Sequence, residues 1–502
     1  MSKISTSLAV MLCLLSAVTA FGQDSTYNFT VQTLGGYTTP GVVPFWLRSN
    51  QFGSIPLDGA SLSFIGAARK DYDLSGDKFF DWGASLEGRA NLGKGSNLTL
   101  IEGYGKVRLG IFELRAGRSK DITGLCDTTL SSGSFSISGN SLGIPKIEVA
   151  VREFSTVPGL GQLFAFKGNF AHGWKGDAEV RVDGGSEDTA TVSTFLHQKT
   201  LYGRFGKPSW KIKLYGGFNH QAIWGDEDDV YSHDYTLSSL QAYYYIWLGK
   251  RYNNGDISGT RIGDHVGSID LGLEYNFDNL RVFLYRQNFY EAGGLAHLAN
   301  IQDGLNGISF EKPKDQNNQG LWNKIVFEFL YTKSQARELW LPTPMHYENY
   351  YNHYLYIEGW SYNGKAVGTP FIASRDYTRS ELPSSPHDYF ISNRLVAFNI
   401  ACQGSVREYY YTLKASWSKN YGTYYTATLE EQSEIMNNPG AYDFFGEQDQ
   451  LSTYLEIKRQ LKNGLNLGLI GAFDTGELYY NSFGLFLKAS YSFNLLKISK
   501  HL

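Results

Sequence analysis

Long runs of strict two-residue alternation between apolar and polar side chains, separated by short polar turns, constrain this chain more than any other feature. Ile269, Leu271, Leu273, Tyr275 and Phe277 fall on one face of such a run, and Ser268, Asp270, Gly272, Glu274 and Asn276 on the other. That split is what a strand requires, because successive Cβ atoms point to opposite sides. It recurs at Trp210, Ile212, Leu214 and Phe218 against Lys211, Lys213, Tyr215 and Asn219. It recurs again at Phe483, Leu485, Leu487, Ala489, Tyr491 and Phe493 against Ser482, Gly484, Lys488, Ser490 and Ser492. The runs exceed the usual strands of soluble sandwiches and match the roughly 9–11 residues that a tilted strand needs to cross a bilayer. Aromatics gather at their ends, among them Trp210, Tyr275, Phe277, Trp417 and Tyr491, where interfacial girdles lie. Strands in lipid must leave no edge unpaired, so the expected fold is an all-β, transmembrane, antiparallel β-barrel.

Seventeen such runs can be read along the chain, and an eighteenth is expected around 128–138, since single-chain bacterial barrels have even strand numbers. Loop lengths give an independent check. If the last run, 482–493, descends toward the periplasm, the short connections 206–208, 278–279, 403–407 and 462–464 all fall on that side. The long ones, 220–265, 333–388 and 421–450, all fall outside, as outer-membrane barrels arrange them. The expected organisation is a signal peptide over 1–22, an N-terminal segment over 23–58 preceding or plugging the barrel, the barrel over 59–493, and a short periplasmic tail over 494–502. The signal reading rests on Lys3, the apolar run from Leu8 to Val18, and small residues at Ala20 and Gly22. It places the mature chain in the outer membrane of a Gram-negative cell.

Composition removes some functions. The net charge is −4, with no basic block, which leaves no electrostatic footprint for nucleic acid. After the signal only Cys126 and Cys402 remain, too far apart for metal-ligand spacing, and both are expected to be free. The acidic run Asp226-Glu227-Asp228-Asp229 lacks the alternate spacing and glycine of a calcium loop and is expected to be a solvated face. His233-Asp234 and Asp264-His265 carry no nucleophile motif, and neighbours in a strand face opposite ways, so no enzyme, metal or cofactor is expected. The polar face of the runs mixes both signs, with Glu87, Arg89, Lys211, Lys213, Asp270, Glu274, Lys414, Glu456, Lys458 and Lys488. Mixed signs suit either a salt-bridged interior or a wide unselective channel.

Several short motifs occur in a fixed order: Gly35-Gly36-Tyr37, then Pro44-Phe45-Trp46-Leu47-Arg48-Ser49-Asn50-Gln51-Phe52-Gly53, Ala116-Gly117-Arg118, Ser138-Gly139-Asn140, Asp303-Gly304-Leu305-Asn306-Gly307, and Glu358-Gly359-Trp360-Ser361-Tyr362-Asn363-Gly364. In these the chain resembles the Wzi family of outer-membrane capsule-assembly proteins, over nearly its whole mature length. The resemblance implies about 18 strands, a lumen obstructed by loops or the N-terminal segment, and a non-enzymatic role in holding capsular or extracellular polysaccharide at the cell surface. The alternative is a porin-like diffusion or uptake channel for small solutes. Candidate glycan contacts are residues of the long outer loops: Trp224, Tyr231, Arg337, Trp340, His346, Tyr350, Trp360 and Tyr362. Flat aromatic faces stack on sugar rings, and charged neighbours bind hydroxyls and carboxylates. The expected partners are that polysaccharide and outer-membrane lipid.

Overall fold

The structure is a computed structural model that describes residues 23–55, 58–73, 78–184, 188–231, 235–255, 257–313, 321–337, 347–428, 430, 443–461 and 464–496. The signal-peptide segment and most of the expected tail lie outside the described residues. Eighteen strands form one closed antiparallel sheet. In chain order they are β1 (Gln23–Thr38), β2 (Ala60–Lys70), β3 (Phe80–Leu92), β4 (Asn97–Leu109), β5 (Phe112–Arg118), β6 (Lys146–Thr156), β7 (Phe164–Arg181), β8 (Thr189–Phe205) and β9 (Ile212–Trp224). The second half comprises β10 (Asp264–Asn276), β11 (Arg281–Tyr290), β12 (Gly304–Glu311), β13 (Lys324–Tyr331), β14 (Leu395–Val406), β15 (Tyr409–Asn420), β16 (Gln448–Gln460), β17 (Leu465–Gly476) and β18 (Ser482–Leu496). Each pairs with its sequence neighbour, and β1 closes the ring against β18, with Phe29 opposite Phe493. No helix among the described residues is long and apolar enough to cross a membrane.

The strand that completes the eighteen is Gln23–Thr38, so the first part of the 23–58 segment, expected to precede or plug the barrel, belongs to its wall. Its weak signal has a plain cause: threonine and glycine occupy several of its positions, which dilutes the apolar alternation. Residues 128–138, where an extra strand was expected, form no strand and run through the lumen as irregular chain. There the hydroxyls of Ser131, Ser134 and Ser136 and the backbone N–H of Ser132 bond wall side chains, in place of a ladder.

The outer face carries an exposed apolar belt that includes Leu86, Leu201, Leu271, Phe327, Phe398, Leu469 and Leu487. The inner face is polar and paired. Lys213 meets Glu274 at 2.9 Å, Lys488 meets Glu456 at 2.9 Å, and Lys120 meets Glu87 at 2.7 Å. Lys414 lies 4.7 Å above the Trp46 ring, and Arg89 bonds Asn91 and Ser63. Lys211 is an exception to the expected lumenal set: it stands exposed in a turn, paired with Asp278.

Three loop segments enter the lumen and bury one another. The turn Phe45–Arg48 sits inside the wall, with Phe45 N–H donating to Asp474 Oδ2 at 2.7 Å and Trp46 Nε1 donating to Ser416 Oγ at 3.0 Å. The 119–145 segment runs down the interior from the long-loop end. Asp127 reaches Lys324 at 2.8 Å, at the short-turn end, and Leu130 packs against Val326 and Ala401. The 332–394 segment closes over it: Trp360 Nε1 donates to Ser136 O at 2.8 Å, and Phe135 stacks on Phe289 with ring centroids 4.0 Å apart. The lumen is therefore filled, with a mixed aromatic and hydrogen-bonded core inside the wall.

Candidate functional site

With the lumen filled, the accessible chemistry lies at the long-loop end, which the loop-length rule places outside the cell. A cavity of about 420 Å³ opens there, lined by Arg251, Arg261, Arg337, Tyr347, Tyr354 and Tyr425 together with Asp264, Glu291, His353 and His387. Four loops and the top of β10 contribute, so no stretch of sequence contains the site. A two-stranded hairpin, Arg251–Asn254 with Ile257–Arg261, brings two of its arginines to the rim.

Two of the three guanidiniums are held in place. Arg337 donates from Nε to Glu348 O at 3.1 Å and lies over the rings of Tyr347 and Tyr424 at 5.2 and 4.8 Å. Arg261 donates to Ala292 O at 2.7 Å and Gly249 O at 3.3 Å. Arg251 is exposed. Tyr347 and Tyr354 are 43% and 50% exposed, enough to offer a ring face to a ligand. The Tyr425 ring packs 5.7 Å from that of His387. The floor is neutralised: burial pushes the Glu291 carboxyl well up, favouring its protonated form, and drives the half-buried His353 down to about 3, so its imidazole is neutral at pH 7. Fixed guanidiniums beside flat tyrosines can bind carboxylate or hydroxyl oxygens while the rings take the apolar face of a sugar.

Of the eight residues singled out from the sequence, Arg337 reaches this cavity. Tyr350 and Trp360 are fully buried, with the Tyr350 hydroxyl donating to Asp303 Oδ2 at 2.7 Å. Tyr362 is 8% exposed and its hydroxyl accepts from Arg118 at 3.1 Å. These three hold the plug and present no ring to solvent. Tyr231 is 5% exposed and stacks on Tyr235. Trp224 lies at the top of β9, 6% exposed, beside a second cavity of about 550 Å³ between the wall and the helix Ser239–Leu248. Trp340 and His346 lie outside the described residues. Arg251, Arg261, Tyr347 and Tyr425 went unnoticed in the sequence, where only their membership of long outer loops marks them.

The acidic run does not converge on an ion. Asp226 accepts from Ser193 N at 2.9 Å, Glu227 turns inward to Gly225 N and Tyr356 Oη, and no metal-ligating cluster occurs among the described residues. Asp264 and His265 diverge, because His265 Nδ1 lies 2.8 Å from His220 Nε2 and its Nε2 lies 2.7 Å from Ile262 O. The other adjacent pair, His233-Asp234, lies outside the described residues.

Glu227 has a testable consequence. Burial raises its carboxyl from 4.5 to about 8. A carboxyl with a folded value above its unfolded one stabilises the fold fully below pH 4.5, and this contribution is lost as pH rises toward 8. Protease protection of the 225–231 turn should therefore fall between pH 5 and pH 8. In Glu227→Gln, which stays neutral, the same protection should be flat across that range.

No family model and no curated protein matches the sequence. Among solved structures, Wzi, an outer membrane protein involved in group 1 capsule assembly in Escherichia coli and described as a carbohydrate-binding β-barrel, matches over 97% of this chain and 88% of its own. The identity is 13% and the TM-score 0.54. Pseudomonas aeruginosa OccD3 (OpdP) matches over 95% of this chain and 93% of its own at 11% identity, with a TM-score of 0.41. Acinetobacter baumannii OccAB2 matches over 94% and 99% at 10% identity, with a TM-score of 0.44. Closed antiparallel wall, filled lumen and the match along almost the entire length agree: this chain is a transmembrane β-barrel with the fold of Wzi.

Proposed function

We propose that this protein binds an extracellular or capsular polysaccharide and retains it at the cell surface, without chemical conversion, through the cavity at its outer mouth. The observation that carries the reading is the conjunction of a lumen closed by three interlocked segments with an outward cavity of fixed guanidiniums and half-exposed tyrosines. A channel needs a path and an enzyme needs a converging nucleophile and base; the cavity offers stacking faces and oxyanion donors instead. The carbohydrate binding and the capsule assembly ascribed to Wzi point the same way. The guanidiniums favour a glycan bearing carboxylates, and the export signal read from the sequence agrees with a surface location.

The test uses the purified full-length protein and the surface polysaccharide of the cell that makes it. Arg251→Ala removes an exposed guanidinium without touching the plug. Loss of one charge-assisted hydrogen bond costs about 1.5–3 kcal/mol, roughly a tenfold to hundredfold rise in Kd. Tyr425→Ala should weaken binding further. Equal affinity of wild type and both variants would place the glycan elsewhere, and no measurable binding by wild type would end the reading. In cells, deletion should release surface polysaccharide into the medium.

A further inference from the structure

One sector of the wall breaks the apolar belt. On β7 to β10 the outward positions are marked by Phe170, Leu201, Phe218 and Ile269, all well exposed. By alternation, His172, His197, Lys199, His220 and His265 face the same way, higher on the wall. The register aligns them in adjacent rows, with His172 opposite His197, Lys199 opposite His220, and Ala222 opposite both His197 and His265. Four imidazoles and an ammonium on a lipid-facing surface are unfavourable unless something covers them.

The helix Ser239–Leu248 covers them. It begins with a capping box between Ser238 and Gln241 and ends at Gly249 in the left-handed region, so its bounds are set locally. Ala242 and Ile246 are buried against the wall. The Tyr243 ring lies 5.6 Å from that of His172 and 5.7 Å from that of His197, and the Trp247 carbonyl accepts from Lys199. The opposite side of the helix is not polar, as it would be on a helix facing water. Leu240 is 83% exposed, and Tyr244, Trp247 and Leu248 are 42–46% exposed. Lys250 follows at the C-terminal end, its ammonium 4.5 Å from the Tyr244 ring centroid.

We propose that this helix is a lipid-contact element lying outside the barrel wall in the outer leaflet. It seals the histidine-bearing sector from acyl chains and, through Leu240, Tyr244, Trp247 and Leu248, restores the apolar belt that the wall interrupts there. Its occupant is the acyl region of outer-leaflet lipid, because its exposed face continues the surface of Phe170, Leu201, Phe218 and Ile269 at the same sector. Tyrosine and tryptophan with a lysine beside them suit the boundary between chains and headgroups, where the ammonium meets lipid phosphate.

The full-length protein, with Cys126→Ser and Cys402→Ser, is reconstituted in dioleoylphosphatidylcholine vesicles and carries a nitroxide at Leu240→Cys or Trp247→Cys. Reference labels sit at Leu487→Cys on the bare wall and Glu381→Cys in an outer loop. The ratio of collisions with oxygen to collisions with a water-soluble nickel chelate should match that at Leu487. A ratio matching that at Glu381 would overturn the proposal, leaving the helix in water. A second readout avoids the label: in vesicles of dibrominated phosphatidylcholine, Trp247→Phe should lower the quenched share of the tryptophan emission. An unchanged share would count against lipid contact.

Discussion

Excising the segment that descends through the lumen should turn a closed barrel into a conducting one. If residues 121–143 are replaced by a short Gly-Ser link, the contacts from Asp127 to Lys324, from Ser131 and Ser132 to Glu328, and from Ser136 to Asn219 all disappear. Trp360 loses its acceptor at Ser136 O and Tyr351 loses Phe135 O, so the 332–394 segment loses its footing as well. The wall keeps its ladders, because each strand pairs with its sequence neighbours and none pairs with the excised residues. Planar-bilayer recordings should show little stepwise current for wild type and clear steps for the excised form, since an 18-stranded wall is wide enough for an aqueous channel once emptied. Steps of similar size in wild type would show that the plug moves or leaks, and would revive the diffusion-channel alternative.

A single carboxyl should matter almost as much to the outer loops. Glu348 is fully buried, and its two oxygens accept from four consecutive backbone N–H groups, those of Glu291, Ala292, Gly293 and Gly294, at 2.5–3.1 Å. Burial raises its pKa while these donors pull it back. Glu348→Ala would leave all four donors without their acceptor, the buried Gly294 N–H among them, at about 1–3 kcal/mol for a buried group left unsatisfied in addition to the lost charge-assisted bonds. That exceeds what a surface loop can absorb, so 291–303 should undock from the segment carrying Tyr347, Tyr354 and Arg337, and the mouth cavity should come apart. Limited proteolysis should cut 291–303 and 347–394 far faster than in wild type while the barrel stays folded. Glu348→Gln retains one acceptor oxygen and should lie between the two. Unchanged cleavage in Glu348→Ala would mean that other contacts hold the loop.

Both predictions turn on parts of the chain that read poorly as sequence. The wall was legible because its rule is local: a strand with lipid on one side and protein on the other must alternate, and runs such as 482–493 and 304–311 appear in the structure nearly as the pattern places them. Gln23–Thr38 escaped because glycine and threonine carry no clear apolar sign. The plug follows no period, since its backbone polar groups are satisfied one at a time by side chains such as Glu328, Asp270 and Asn399. Its glycines are explicable only afterwards. Gly359 has a φ of +51°, and a Cβ there would meet Tyr351 O at 1.9 Å; at Gly368 it would meet Phe135 O at 1.8 Å.

The same division runs through the candidate site. That the long loops are rich in tyrosine, tryptophan and arginine was visible at once, and so was their gathering at one end of the barrel. Which aromatics remain available was not, because Tyr350 and Trp360 share loop, residue type and neighbourhood with Tyr347 and Tyr354, yet the first pair is buried and the second half-exposed. The amino-acid sequence by itself determined the barrel, its strand direction and the side on which its loops gather, since each depends on period and spacing along one strand and its neighbours. Only the tertiary structure decided which segments fill the lumen, that three distant arginines share one cavity, and that a short helix shields a histidine-bearing sector of the wall. Those outcomes depend on contacts between segments up to a few hundred residues apart, and no local pattern records which of several similar side chains will be covered by another.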